Sequence, residues 1–315
     1  MAELVIAHTH LYSALARWIP LTAVPAGDLV EILERIWWRL DRALDESAIR
    51  MSARVGIADA VRAGASCLID HHESPSCIAG SLDLIADEME RAGVRGVVAY
   101  GLTSRNGGEA EWRAGLRENE RFLRENRRPL VRGLVGVHAC FTVPDDALRA
   151  AADLARAHHT GLHIHVGEDK VDQDAFDRLE RTGALVPGSV YAHAVHLAPT
   201  EIKKLAESGG WLVHNPRSNR GNGMGYARLG PAGDRVALGT DGWDGDVRAE
   251  ALALAECAAA ADDPVDVEAR LCAGRRLAAE IFGSPPPAPP RALEYDLDEV
   301  RACAQRIFER MQELG

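Results

Sequence analysis

Short apolar runs that end in polar or histidine-bearing residues recur along the chain, separated by longer segments of helical periodicity. The first is Leu4-Val5-Ile6-Ala7-His8-Thr9-His10. Alternate side chains of a strand share a face, so His8 and His10 are predicted to point the same way from its end. Runs of the same kind occupy residues 66–70, 94–100, 131–137, 161–166, 189–193, 211–214 and 235–239. Helices are predicted between them over 28–63 with a break near Ser47, then over 78–92, 109–126, 145–159, 172–182 and 199–208. Two more, 247–261 and 267–282, follow the last strand. A stripe of Ile32, Ile36, Trp37, Leu40 and Leu44 reads as core, and the stretch before it, with Pro20 and Pro25, as a loop.

Eight apolar strands alternating with helices predict an α/β fold, a (β/α)8 TIM barrel. Parallel neighbours need a crossover connection, and the crossover helices then cover the outer face. The barrel is expected over residues 1–284 and a stiff proline-rich linker over 285–292. A terminal helix over 293–315 has an apolar face of Leu297, Val300, Ala304, Ile307, Phe308 and Met311, which is expected to dock on the barrel or on a partner chain.

Composition narrows the class. A chain of 315 residues, 47% hydrophobic, can bury one large core. The net charge of -11 and the lack of a basic stripe speak against nucleic acid. No apolar run is long enough to span a bilayer and no secretory leader is recognisable, so a cytoplasmic protein is expected. The six cysteines form no C-x-x-C pair and read as free thiols, Cys140 near the suspected site included.

The histidines carry the chemistry. All twelve except His158 and His159 stand at or near the downstream end of a predicted strand, which is the face where parallel barrels place their sites. His8, His10, His165 and Asp241 are expected to converge there. Three imidazoles and a carboxylate suit one divalent ion, Zn²⁺ or Fe²⁺, better than Ca²⁺ or Mg²⁺. Such an ion makes hydroxide available near neutrality. Glu168 is placed to shuttle protons without binding the ion, His193 to orient the water, and Asp241 to take its proton. The only lysines are Lys170, Lys203 and Lys204, none on the fourth strand, so a metal pair bridged there by a modified lysine is not expected. His71, His72, His138 and His214 are candidates for the substrate pocket, with His196 open and His163 read as structural. Asn215, Arg217 and Asn219 would suit a planar ring bearing carbonyl or carboxylate groups, and Trp243 is placed to stack on it.

The motifs His8-Thr9-His10, His165-x-x-Glu168, Ala192-His193-Ala194-Val195-His196 and Gly239-Thr240-Asp241-Gly242, with Asp70-His71-His72-Glu73-Ser74-Pro75 and His214-Asn215-Pro216-Arg217-Ser218-Asn219, resemble the amidohydrolase superfamily. The nearest likeness is to the SsnA-type aminohydrolases of the chlorohydrolase, cytosine deaminase and guanine deaminase branch. The resemblance implies a mononuclear site that hydrolyses a non-peptide C–N bond, commonly by deaminating a purine, pterin, pyrimidine or triazine-like ring. It implies ligation by His8, His10, His165 and Asp241, with proton transfer by Glu168 and His193. Opening of a cyclic amide, and a metal-binding barrel without catalysis that serves as a subunit, stay open as alternatives, as does self-association. Members of the superfamily usually carry a small flanking β-sandwich domain, whose segments are not recognised in this sequence. The H-x-E and P-C-x-x-C pattern of zinc deaminases with another fold is absent.

Overall fold

The computed structural model describes residues 3–20, 28–283 and 288–314. Strand β1 (Leu4–Thr9) pairs in parallel with β2 (Ala65–His72), which is followed by β3 (Arg95–Tyr100) and β4 (Val131–Gly133). A second parallel run comprises β5 (Val135–Ala139), β6 (Leu162–Val166), β7 (Val190–His193), β8 (Trp211–His214) and β9 (Val236–Leu238). Leu134 divides the fourth stave, predicted as one run, into β4 and β5. Its N–H still donates to the Val98 carbonyl at 3.1 Å, so the stave keeps its place beside β3.

The two runs join at both edges. Leu102 bridges Val137 on one side, and Thr9 bridges Asp241 on the other. At the second seam the Thr240 N–H donates to the His8 carbonyl at 2.8 Å and the His10 N–H to the Asp241 carbonyl at 3.1 Å. The fold is thus a (β/α)8 barrel, and its first and last staves meet at three of the residues singled out by the sequence, His8, His10 and Asp241. Strands covered on both faces read as near-continuous apolar runs rather than alternating ones. Ala7, Ile69, Val97, Val190, Val213 and Ala237, from six different strands, pack into one buried cluster.

The outer layer follows the predicted helices with shifted ends. The 28–63 segment is α1 (Leu29–Ile32), a π-helical turn (Leu33–Trp37), α2 (Trp38–Ala43) and α3 (Glu46–Arg62). The break falls at Leu44 and Asp45 rather than at Ser47, because Asp45 caps α3 by accepting the Ala48 N–H at 2.9 Å. Leu11–Trp18, expected as loop, is a 3₁₀ helix, and Pro25 lies outside the described residues. Leu40 and Leu44 of the predicted core stripe are buried, whereas Ile32, Ile36 and Trp37 are only half-buried. Around the remaining staves run α4 (Ser81–Ala92), α5 (Glu109–Glu125), α6 (Asp145–Ala157), α7 (Ala175–Arg181), α8 (Pro199–Glu207), α9 (Pro216–Gly221), α10 (Val247–Ala260) and α11 (Val267–Phe282).

Helix α12 (Leu297–Glu313) packs on α2, α3 and the 3₁₀ helix of its own chain, burying Val300, Cys303, Ala304, Ile307 and Met311. Phe308 is only partly buried and Leu297 is half exposed. The linker prolines Pro285 to Pro287 lie outside the described residues. Every strand among the described residues belongs to the barrel, and no described helix is long and apolar enough to cross a membrane.

Candidate metal and active site

Strain marks the strand ends. Of the five non-glycine residues with positive φ among those described, His193 (74°), Ala194 (53°) and Asp241 (53°) sit at the C-terminal ends of β7 and β9. Left-handed backbone costs a non-glycine residue of order 1–3 kcal/mol and persists where the surroundings over-determine it. Gly239, between β9 and Asp241, leaves room that no other residue would: a Cβ there would lie 2.5 Å from Asn215 Oδ1 and 2.7 Å from the His8 carbonyl. This close approach lets the chain turn Asp241 toward β1.

The side chains then converge. Asp241 Oδ1 lies 3.2 Å from His8 Nε2 and 3.1 Å from His10 Nε2, and His10 Nε2 lies 3.0 Å from His165 Nε2. Ligand atoms about 2.1 Å from a zinc-like ion are themselves roughly 3.0–3.4 Å apart, so each of these three contacts has a spacing found within a coordination shell. The ligating atoms of His8, His165, His193 and Asp241 also lie within 4.8 Å of one another, as do those of His10, His71 and His165. His71 is committed elsewhere: Nδ1 faces Glu73 Oε1 at 2.8 Å, and Nε2 faces the carbonyls of Val137 and His163 at 3.1 and 3.2 Å.

The other ring nitrogens fix the tautomers. A carbonyl only accepts, so His10 donates its Nδ1–H to the His71 carbonyl at 2.7 Å, and His165 donates its Nδ1–H to the His138 carbonyl. Their Nε2 atoms therefore face inward, each a lone pair when its ring is neutral. His8 Nδ1 is paired with His163 Nε2 at 2.8 Å, and the Ser218 hydroxyl donates to Asp241 Oδ2, leaving Oδ1 turned to the histidines.

Burial and the neighbouring charges act differently on each of these groups. Burial drives His8 down to about 3 against the pull of Asp241, and burial together with His71 and His8 drives His165 well below the usual imidazole range. Burial would also lower His10, yet Glu73 and Asp241 carry it up to about 10. Burial works against the Asp241 carboxylate, but His10 and His8 hold it well below its ordinary range. Lone pairs and a carboxylate converging in a buried place call for positive charge there, as a proton or a metal cation, and the donor set fits a divalent ion.

Beside this cluster stand Glu168 and His193, with Oε2 and Nε2 3.7 Å apart. His193 Nδ1 is held by Asn219 Oδ1 at 2.8 Å, while its buried Nε2 has no hydrogen-bond partner among the described residues. Burial pushes the Glu168 carboxyl up, opposed by His193 and reinforced by Asp241. The turn that carries Glu168 is clamped: Asp172 accepts the Gly167 N–H at 3.0 Å, and the His196 N–H donates to the Gly167 carbonyl at 2.8 Å.

A cavity of about 490 Å³ opens above the cluster, lined by His10, His165, Glu168 and Asp241 at the polar end and by Leu29, Leu33, Trp37 and Phe141 on an apolar wall. Trp37 packs against the edge of the core and also lines the cavity, presented by a π-helical turn, a form frequent at functional sites. Of the side chains expected to touch substrate, His138 and Trp243 line this space, and His71, His72, His196, His214, Asn215, Arg217 and Asn219 do not. His72 Nε2 is bonded to the Ser74 hydroxyl at 2.8 Å, and His214 packs on Tyr226 with ring centroids 5.3 Å apart. Asn219 and Asn215 lie behind His193, with Asn215 Nδ2 3.4 Å from its Nδ1. The Arg217 guanidinium is taken up by Glu250 at 2.6 Å and Asp244 at 2.8 Å, so it offers no fork to a substrate.

His163, Ser218, Asp172 and Glu73 are positioned at the site although the sequence reading gave none of them a role there. His163 left a signal in sharing a strand face with His165, and Glu73 and Ser218 in standing within the motifs that carry the family resemblance. Ser218 meets Asp241 from a remote segment, whereas Glu73 is held by His71 two residues before it and Asp172 by the Gly167 N–H five residues before it.

A parallel barrel whose mouth gathers imidazoles and carboxylates is the architecture of the metal-dependent hydrolases. The chain belongs to the amidohydrolase family, whose model matches residues 4–269. Among characterised relatives, it is 27% identical to the 8-oxoguanine deaminase of Pseudomonas aeruginosa over 267 residues, covering 76% of this chain and 58% of that protein. It is 31% identical to the 5′-deoxyadenosine deaminase of Methanothermobacter thermautotrophicus over 259 residues, covering 76% of this chain and 57% of the relative. The chain therefore matches little more than half the length of these enzymes. In fold it is similar to an adenosine deaminase from Xanthomonas campestris with bound zinc, with a TM-score of 0.77 at 20% identity over 99% of this chain and 86% of that one. It is also similar to the zinc-complexed atrazine chlorohydrolase of Arthrobacter aurescens, with a TM-score of 0.73 at 22% identity over 90% and 71% of the two chains.

Proposed function

We propose that this protein is a metal-dependent aminohydrolase that deaminates an amino-substituted heterocycle of the purine, pterin, pyrimidine or triazine type, with zinc as its ion. The observation that carries the proposal is the pairing of Glu168 and His193, 3.7 Å apart, at the edge of the inward-facing donor cluster. The names of the two deaminase relatives support the reaction class.

His8, His10, His165 and Asp241 hold the ion. When bound, it supplies the Lewis acidity that makes water nucleophilic near neutral pH. Glu168 is the proton carrier: its carboxyl, raised by burial, takes a proton from the attacking water and hands it to the departing amino nitrogen, which leaves as ammonia. His193, whose Nδ1–H is held by Asn219 Oδ1, presents Nε2 to the attacking water as an acceptor that orients it. The apolar wall of Leu29, Leu33, Trp37 and Phe141 excludes solvent and accepts a planar ring.

The test is a panel of amino-heterocycles assayed for ammonia with the protein's metal identified beforehand. Release of ammonia from a ring, abolished by Glu168→Gln, is the expected result. Ring opening of a cyclic amide without ammonia, or no turnover of either class by metal-loaded protein, would replace this reading.

A further inference from the structure

One buried acid lines the cavity and has no part in that chemistry. Glu73, just past β2, is 2% exposed, and its Oε1 is fixed by His71 Nδ1 at 2.8 Å. Gly101 makes room for the pair: a Cβ there would lie 2.6 Å from His71 Cε1 and 2.7 Å from Glu73 Oε1. The second oxygen, Oε2, stands 3.6 Å from His10 Nδ1, beyond hydrogen-bonding distance, and no described group donates to it. A held carboxylate oxygen on a cavity wall, with no donor from the protein, is an acceptor for a donor on the ligand.

Its place in the barrel says which edge of the ligand. Counting β4 and β5 as one stave, β2 lies four staves from β7 in either direction round the ring, so Glu73 faces across the mouth from His193. A planar ring that presents its scissile amino group to Glu168 and His193 turns its opposite edge toward Glu73. Asp59, Asp169 and Asp244 also line the cavity, and Arg17, which lines it too, is ion-paired to Asp59. We infer that Glu73 selects the substrate: it accepts a hydrogen bond from a second amino, ring N–H or hydroxyl group on the edge away from the scissile C–N bond, and it rejects rings that carry an anionic group there. This rests on the cavity being the site of an amino-heterocycle, as proposed above.

The test compares 2,4-diaminopyrimidine with 4-amino-2-methylpyrimidine, an exchange of amino for methyl that changes shape little. Affinities for zinc-loaded wild type, Glu73→Gln and Glu73→Asp are measured by calorimetry at a pH where both rings are neutral, with zinc content and melting temperature as checks of folding. A hydrogen bond to a charged acceptor predicts that wild type favours the diamino ring by roughly tenfold or more. That preference should fall to near one in Glu73→Gln and survive in part in Glu73→Asp. Should a variant not fold, wild type alone decides, by its preference for the diamino ring and its rejection of 4-aminopyrimidine-2-carboxylate. Equal affinity of wild type for the two neutral rings, no binding of either, or an undiminished preference in Glu73→Gln overturns the inference. A diaminopyrimidine that binds with the expected preference but releases no ammonia would instead count against the deaminase reading.

Discussion

His10 and His165 face each other with their Nε2 atoms 3.0 Å apart, while each ring donates its Nδ1–H to a backbone carbonyl. Two lone pairs at that separation repel unless positive charge lies between them, and the Asp241 carboxylate beside them deepens the demand. Metal binding should therefore stabilise the fold. Stripping the protein with a chelator is expected to lower its melting temperature, and adding zinc back at about 100 times the dissociation constant to restore about 2.7 kcal/mol. One equivalent of zinc should suffice. Identical melting with and without metal would show that the cluster is satisfied by a proton alone.

Glu168 and Asp241 are expected to separate under mutation, because one only moves protons and the other also holds the ion. Glu168→Gln should lower turnover by about 10²–10⁴-fold while zinc content stays at one per chain. Asp241→Asn should lose turnover and also retain zinc poorly after dialysis. Wild-type rates in either variant would sink the mechanism.

These two residues also show where sequence reading reaches its limit. Glu168 follows His165 at a spacing visible in one dimension, and the strand-end positions of His8, His10 and Asp241 follow from apolar runs that a parallel barrel buries on both faces. What holds them is not written locally. His163 under His8 and Ser218 on Asp241 are partners that only the closed ring brings into reach. Arg217 was legible as a free guanidinium because its neutraliser, Glu250, lies on α10, in a stretch that reads only as an apolar closing helix. Leu134, an apolar residue inside an apolar run, gave no sign that the fourth stave divides there.

Asp172 gives a pH dependence. It accepts the N–H of Phe141 at 2.9 Å and that of Gly167 at 3.0 Å, yet burial outweighs these bonds and pushes its carboxyl from 3.8 up to about 7. The folded protein then binds more protons than the unfolded chain between those values, so the contribution of Asp172 to stability is full below pH 4 and declines as pH rises toward 7. The slope is at most about 1.4 kcal/mol per pH unit. Asp172→Asn cannot titrate and should lack this component. Urea unfolding of both proteins at pH 5, 6, 7 and 8 should show wild type losing ground to the variant up to pH 7, with no further change beyond. A gain by wild type over that range would reverse the assignment.

Arg217 and Glu250 distinguish a structural role from a substrate contact. The Glu250 side chain is fully buried and takes both the Arg217 guanidinium at 2.6 Å and the Arg217 backbone N–H at 3.0 Å. Removing the arginine leaves a buried carboxylate without its counter-charge, which typically destabilises by about 3–5 kcal/mol. Arg217→Met should therefore lower stability by that order, and because α9 carries Ser218 and Asn219 behind Asp241 and His193, it should lower kcat as well. Glu250→Gln added to Arg217→Met removes the stranded charge and should recover most of the lost stability. An arginine that gripped substrate would behave differently: its loss would raise KM, leave urea unfolding within about 0.5 kcal/mol of wild type, and gain nothing from the second substitution.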